Sequence, residues 1–108
     1  MSDTALMSEQ FNTYMTYLRK EKNTSDNTLQ AYRRDISKFL DYAAENDLDS
    51  FEAVTEADMA AYKSSLISSG LSVATVCRSL SALRSMYQYL MSKDIVSHNP
   101  AREVHNDK

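Results

Sequence analysis

The stretch that decides the fold is Ser72–Leu90, SVATVCRSLSALRSMYQYL. Its large apolar side chains recur at intervals of four and three residues, which places them on one face of an α-helix. These side chains are Val76, Leu80, Leu83, Tyr87 and Leu90. Off this stripe lie Arg78, Ser81, Arg84 and Ser85, and the stretch contains no acidic residue. A helix without acids in an acidic protein favours a negatively charged partner, and the backbone of a nucleic acid is the leading candidate.

Three further helices are predicted before this one. The first covers about residues 4–20, and the second begins at Ser25, an N-cap residue, and fades near Asn46. The third follows Thr55, which with Asp58 resembles a capping box in which Asp replaces the usual Glu. Gly70, the only glycine, lies where a left-handed residue ends a helix. The fourth helix begins after Ser72, so the sequence predicts an all-α fold of four helices.

The predicted core consists of the apolar stripes of these helices and of the loop after the second one. The first helix contributes Met7, Phe11, Tyr14, Met15 and Leu18. The second contributes Leu29, Tyr32, Ile36, Phe39, Leu40 and Ala43. The loop contributes Leu48, Phe51 and Val54, and the third helix contributes Met59, Tyr62, Leu66 and Ile67.

Length and composition restrict the class of protein. A chain of 108 residues has room for one compact domain, and one Gly and one Pro argue against sheets and tight hairpins. No apolar run approaches membrane-spanning length, and the polar N-terminus does not resemble a signal peptide. The single Cys77 cannot form an internal disulfide, which fits a reducing cytoplasm. A cytoplasmic protein without membrane contact is therefore expected.

The net charge of −3 conceals an uneven distribution of charge. Residues 41–58 contain seven acids and no Lys or Arg, so the other segments together carry about +4. This segregation allows a basic surface on a protein of acidic pI. The acids also have a plain structural interpretation, in which they cap helices and solvate a loop.

The residues do not suggest a catalytic or metal site. His98 and His105 lie in the terminal segment without a nucleophile or acid at fixed spacing, and one Cys with two such histidines does not form a metal site. A glycine-rich phosphate loop is excluded by the single glycine. Most tyrosines lie on apolar stripes and are expected in the core. We therefore expect no cofactor and no catalysis.

Two helix faces carry residues suited to nucleic acids. On the second helix these are Asn27, Ala31, Arg34 and Lys38, flanked by Thr28 and Gln30. On the fourth helix they are Ala74, Arg78, Ser81 and Ser85, flanked by Thr75 and Arg84. Small residues allow close approach, polar side chains bond phosphates or base edges, and Arg pairs bidentately with guanine or clamps phosphate. Ordinary solvent-facing helix positions carry similar residues, so spacing alone leaves both interpretations open.

Three motifs resemble one family. Residues 25–36, SDNTLQAYRRDI, resemble the S-x-N-T-L-x-A-Y-x-R-D-L pattern in the N-terminal core-binding domain of tyrosine recombinases and phage integrases, including the Xer-like ones. Residues 72–90 are similar to the same family's S-x-x-T-x-x-R-x-L-S-A-L-R-x-x-Y-x-Y-L helix, and Asn99-Pro100-Ala101 is similar to the N-P-A that closes the domain. The motifs occur in the family's order and cover about residues 7–102.

The resemblance implies a four-helix, SAM-like orthogonal bundle that forms half of a C-shaped clamp around a double-stranded recombination site. By residue match, Thr28, Gln30, Ala31 and Arg34 of the second helix would contact the groove or backbone. The matching set from the fourth helix would be Thr75, Arg78, Ser79 and Ala82. The first helix in this family often packs between protomers on DNA, so Glu9 and Thr13 are expected at such an interface, whereas the isolated chain is expected to be monomeric.

The resemblance also bears on catalysis. The family's catalytic residues lie in a C-terminal domain, and this chain stops just past the linker. We therefore expect a non-catalytic DNA-binding domain over residues 1–98 and a linker over residues 99–108. Two alternatives are considered. A protein–protein interaction module would use the acidic residues 41–58 for docking, and a stand-alone helix–turn–helix repressor fits poorly with the long second and fourth helices.

Overall fold

A computed structural model describes residues 4–102 and residue 104. It contains four α-helices: α1 (Thr4–Lys20), α2 (Asp26–Glu45), α3 (Glu56–Ser68) and α4 (Val73–Ser92). No β-strand occurs in this part of the chain. The predicted all-α, SAM-like class with four helices is confirmed, and each predicted helix begins and ends within about one residue of its expected place.

The predicted N-caps are present at three helices. The Ser25 hydroxyl accepts a hydrogen bond from the Thr28 N–H, and the Ser72 hydroxyl accepts one from the Thr75 N–H. At α3 the capping box is complete, because Thr55 Oγ1 accepts from the Asp58 N–H at 3.1 Å and Asp58 Oδ2 accepts from the Thr55 N–H at 2.9 Å. Each cap satisfies backbone donors that a helix start leaves without a partner.

A residue in the left-handed conformation follows α2, α3 and α4, and the one after α3, Gly70, was predicted. Gly70 has a φ of 87°, and the Gly70 and Leu71 N–H groups bond to the Ile67 and Leu66 carbonyls, which is a Schellman motif. The ends of α2 and α4 place Asp47 and Asp94 at φ 59° in the same role. These two left-handed residues were not predicted, because an aspartate adopts this conformation less readily than glycine does.

The first compact unit extends to Phe51 and consists of α1 packed against α2. All five predicted core residues of α1 are buried, and Leu29, Ile36, Phe39 and Ala43 are buried from α2. Tyr32 and Leu40 are half-buried. Asp35 is buried as well, which the apolar pattern did not predict.

The second compact unit begins at Glu52 and contains α3 packed against α4. The predicted apolar stripe of α4 is buried throughout, together with Met59, Tyr62 and Leu66 of α3. The prediction for Ile67 is wrong, because its side chain is 53% exposed. It directly follows Leu66 and lies about 100° further round α3, outside the arc that Met59, Tyr62 and Leu66 bury.

The segment after α4 folds back onto its own unit. Val96, Pro100 and Ala101 are buried. The Asn99 side-chain amide donates to the Arg84 carbonyl at 3.2 Å, and the Ala101 N–H donates to Asn99 Oδ1 at 3.1 Å. Of the linker predicted over 99–108, residues 99–102 thus have defined packing, and residues 103 and 105–108, including His105, lie outside the described part.

Candidate nucleic-acid interface

The predicted contact residues of α2 form an accessible face. Asn27, Thr28, Gln30, Arg34 and Lys38 are exposed, and Ala31 is half-buried. The buried stripe of Leu29, Ile36 and Phe39 lies on the other side of the helix, which leaves the contact residues on the accessible side.

The α2 face is free of exposed acids between its first turn and Leu40. Asp35 is the only acid in residues 27–40, and it is 4% exposed. Neither Arg34 nor Lys38 forms an ion pair within the described residues. The exposed part of this face therefore presents cations and neutral hydrogen-bonding groups, which suit the phosphates and base edges of nucleic acids.

The contact residues predicted on α4 divide into accessible and buried sets. Ala74, Arg78 and Ser81 are exposed, as is Ser85, and Thr75 is half-buried. The whole of α4 lacks Asp and Glu. Its accessible residues thus form a second face of small, hydroxyl and cationic side chains.

Ser79 and Ala82 belong to the buried set. Ser79 is 1% exposed and Ala82 is 0% exposed. Each lies next to a residue of the apolar stripe, Leu80 or Leu83, and α4 is buried over a wider arc than that stripe indicates. Their expected contact with DNA is corrected on this ground, because a side chain without exposed surface cannot contact a duplex.

Arg84 has a structural environment that the sequence did not indicate. It is half-buried, its Nε donates to the Ala101 carbonyl at 3.2 Å, and its Nη2 donates to the Val104 carbonyl at 2.9 Å. The guanidinium fork therefore holds the segment that follows α4. Two of its five N–H donors are directed at the backbone of its own unit, so we leave Arg84 out of the contact set proposed below.

His98 also serves structure in its unit. Its Nε2 lies 2.8 Å from the Val54 carbonyl, and its Nδ1 lies 3.7 Å from Glu52 Oε2. The same carboxylate accepts hydrogen bonds from the Ser97 hydroxyl and, chiefly through that bond, has a pKa held below its usual value of 4.5. These contacts join residues 52–54 to residues 97–98.

Three of the four tyrosines predicted on the apolar stripes are core residues, whereas the fourth, Tyr32, is half-buried. Tyr14, Tyr62 and Tyr87 are buried. Burial raises the pKa of Tyr14 and of Tyr87 well above the usual value of 10.0. A buried phenol in this state stays protonated and is not activated as a nucleophile.

In the part of the chain that the structure describes, no three His, Cys, Asp or Glu side chains are grouped so that they could hold a metal ion. Within that part, no helix has the length and apolar character needed to cross a membrane.

One cationic residue beside the α2 face was missed by the motif comparison. Arg33 is exposed and lies 5.9 Å over the Phe11 ring, which fixes its position through a cation–π contact. It follows Gln30 by three residues, so both lie on one side of α2. The family motif leaves this position unspecified, and the only available signal was the positive charge itself.

Known proteins that resemble this chain are phage integrases and tyrosine recombinases. Residues 11–94 match the family described as "Phage integrase, N-terminal SAM-like domain". A tyrosine recombinase XerD from Oceanobacillus iheyensis is 31% identical over 96 residues, which are 88% of this chain and 32% of that protein. A tyrosine recombinase XerC from Listeria welshimeri is 35% identical with the same coverage. The XerC of Halalkalibacterium halodurans is 36% identical over 88% of this chain and 31% of its own length.

These matches cover only part of the relatives. The chain spans about a third of the length of the curated relatives it matches. No solved structure matches it significantly. The comparisons therefore concern one domain of larger recombinases.

Proposed function

The chain belongs to the phage integrase N-terminal SAM-like domain family, and from this premise we propose that it binds duplex DNA in site-specific recombination or integration. Contact is made by the exposed residues of α2 and α4. The proposed set contains Asn27, Thr28, Gln30, Ala31, Arg34, Lys38, Ala74, Thr75, Arg78 and Ser81.

The observation that carries the proposal is the placement of acids. The protein has 15 acidic and 12 basic residues, yet the exposed side chains of residues 27–40 and all of α4 include no acid. The one acid within residues 27–40, Asp35, is buried. Two helix surfaces without exposed negative charge on an acidic protein suit a polyanionic partner.

The acidic segment 41–58 favours this interpretation over docking of a protein partner. Asp58 completes the capping box of α3, Glu52 accepts two hydrogen bonds from Ser97, and Asp47 ends α2. Several of its acids thus have structural roles within the chain, which reduces the need for a partner to explain them.

We further propose that this domain does not cleave DNA by itself. Its buried tyrosines and engaged His98 provide no activated nucleophile, and strand cleavage would belong to the part of the relatives that this chain does not match. Other recombinase protomers on the same DNA are proposed as further partners, with Glu9 and Thr13, both exposed on α1, at that contact. Pure protein incubated with supercoiled plasmid should neither nick nor relax it.

The salt dependence of duplex binding tests the function. About five phosphate contacts give a slope of log K against log salt near −4 to −5, with dissociation constants of roughly 10⁻⁴ to 10⁻⁶ M at physiological salt. Fluorescence anisotropy of a labelled duplex measures both. Absence of binding at low salt, or a slope near zero, would contradict the proposal and favour a partner interface built on apolar contacts.

A chemical-shift titration with the same duplex tests the location. Perturbed amides should cluster on the proposed residues of α2 and α4. Clustering on residues 41–58 instead would contradict the assignment of the faces and support the protein-interaction alternative.

A further inference from the structure

A groove in the first compact unit lies beside the α2 face and was not predicted. It has a volume of about 640 Å³ and is formed by the C-terminal half of α1 and the N-terminal half of α2. Its lining includes Arg19, Lys20 and Arg33, with Asp26 as the only acid. The groove thus carries a surplus of two positive charges in a chain whose net charge is −3.

The cations of the groove are available to a ligand. Within the described residues, neither Arg19 nor Lys20 forms an ion pair, and both are exposed. Arg33 is held over the Phe11 ring, a contact that leaves the hydrogen-bonding edge of its guanidinium unoccupied. A planar guanidinium fork matches the oxygens of a phosphate.

The remaining polar lining suits an anion as well. Asn12, Thr16 and Gln30 contribute neutral donors from both helices. Asp26 is the first residue of α2, so the positive end of that helix dipole borders the groove. Arg19 and Lys20 also offset the negative end of the α1 helix dipole. That role does not explain why Arg33 and Gln30 line the same groove from α2.

We propose that this groove binds phosphates of the DNA backbone, so that Arg19 and Lys20 of α1 contact the same duplex as α2. The proposal rests on the DNA-binding function above. Gln30 connects the two surfaces, because it lines the groove and also belongs to the α2 face. The interface therefore extends from α2 onto α1, the helix that the family resemblance assigned to contacts between protomers.

Arg19→Gln tests the groove by the salt dependence of binding. Losing one phosphate contact should make the log–log slope less negative by about 0.9 and weaken binding roughly eightfold near 0.1 M salt. Lys93→Gln is the matched control, because it removes the same charge from an exposed site at the end of α4 in the other unit. It should leave the slope unchanged.

Asp26→Asn provides a test of opposite sign. Removal of the groove's only acid should strengthen binding severalfold, since the local positive charge rises. Circular dichroism of each variant confirms that the helices are intact. A gain of affinity cannot result from partial unfolding, so this variant decides the question if Arg19→Gln is less stable.

The outcomes separate this proposal from the function on which it rests. If the natural sequence does not bind duplex DNA, the proposed function fails. If it binds, and Arg19→Gln and Lys93→Gln give equal slopes, the groove proposal alone is overturned. If Arg19→Gln leaves DNA binding intact and instead abolishes self-association in sedimentation, the groove is a contact between copies of this chain, and the proposal is likewise overturned.

Discussion

The α2 and α4 helices look alike in sequence but differ in how much of their surface is accessible. Both are 20 residues long, both begin at a serine N-cap, and both carry an apolar stripe opposite small and cationic residues. Five residues of α2 are buried, against eight of α4. The six contact residues predicted on α2 are exposed or half-buried, whereas on α4 Ser79 and Ala82 are buried and Arg84 is bonded to backbone.

The difference shows what a helical wheel measures. It gives the direction of each side chain but not the width of the arc that its neighbours cover. On α2 the fully buried residues add only Asp35 to the apolar stripe, so the polar side could be assigned from spacing. On α4 small residues such as Ala82 lie inside a wider buried arc, and small residues are compatible with both a groove wall and a packed core.

The largest expected effect concerns Ala82. Ala82→Glu should lower the free energy of unfolding by about 3–5 kcal/mol, because it places an unpaired charge in a fully buried site. Chemical denaturation measures the change. Ala82→Leu should lower the free energy of unfolding by about 1–3 kcal/mol through overpacking. This variant provides a second test if Ala82→Glu does not fold.

The matched control is on the same helix. Ala74→Glu, at an exposed position near the start of α4, should change stability by no more than about 0.5 kcal/mol. Equal tolerance of glutamate at Ala74 and Ala82 would contradict the buried arc and restore Ala82 to the candidate interface.

Substitution of Arg78 on α4 or Arg34 on α2 should lower the affinity for duplex DNA, which is not expected for Arg84. Arg78→Ala should weaken duplex binding by about 1–3 kcal/mol if its contact is bidentate, because Arg78 is exposed to a ligand. Arg34→Ala gives the corresponding value for α2. Anisotropy titrations at one salt concentration compare them, and a loss confined to one helix would show that only one face contacts DNA.

Arg84 is expected to affect stability rather than affinity. Arg84→Gln should cost about 1–2 kcal/mol, because it removes hydrogen bonds to the Ala101 and Val104 carbonyls from a half-buried guanidinium. Arg84→Lys keeps the charge but lacks the fork, so it should not restore stability. Hydrogen exchange should increase at Ala101 and its neighbours. Full rescue by Lys would instead indicate that only the charge matters.

The smallest expected effect is a loss of folding stability at acid pH that involves Glu52. The Ser97 hydrogen bonds hold the pKa of Glu52 below 4.5, so in the folded state this group adds stability above its unfolded pKa. That contribution is lost as pH falls below about 4.5 and through the folded pKa. Glu52→Gln should therefore show a smaller fall in melting temperature between pH 6 and pH 3 than the natural sequence does. An unchanged profile would show that the contact contributes little at this exposed site.

Much of the fold could be read from the sequence because its signals are local. Caps such as Ser25 and Thr55 act on the next turn of their own helix, and the Gly70 backbone needs no distant partner. The left-handed Asp47 and Asp94 were missed because an aspartate has many other roles, and the sequence offers no signal that selects this one.

The candidate site was only partly predictable, because local patterns determine one part of it and contacts between distant residues determine the rest. The α2 face follows from a local period and was assigned correctly as accessible surface. The roles of Arg84 and Arg33 depend on residues 17 or more positions away, at Ala101 and Phe11, and no local pattern encodes such pairings. The cationic groove likewise arises only when α1 packs against α2.

The sequence by itself therefore determined four helices, their caps, most of the core and the segregation of acids into residues 41–58, because each of these depends on neighbours within a few positions. Only the tertiary structure decided which residues of α4 remain accessible, that Arg84 holds the segment after α4, and that Arg19, Lys20 and Arg33 line one groove. Exposure and charge clustering are properties of surfaces brought together by packing, and a single helix does not specify what packs against it.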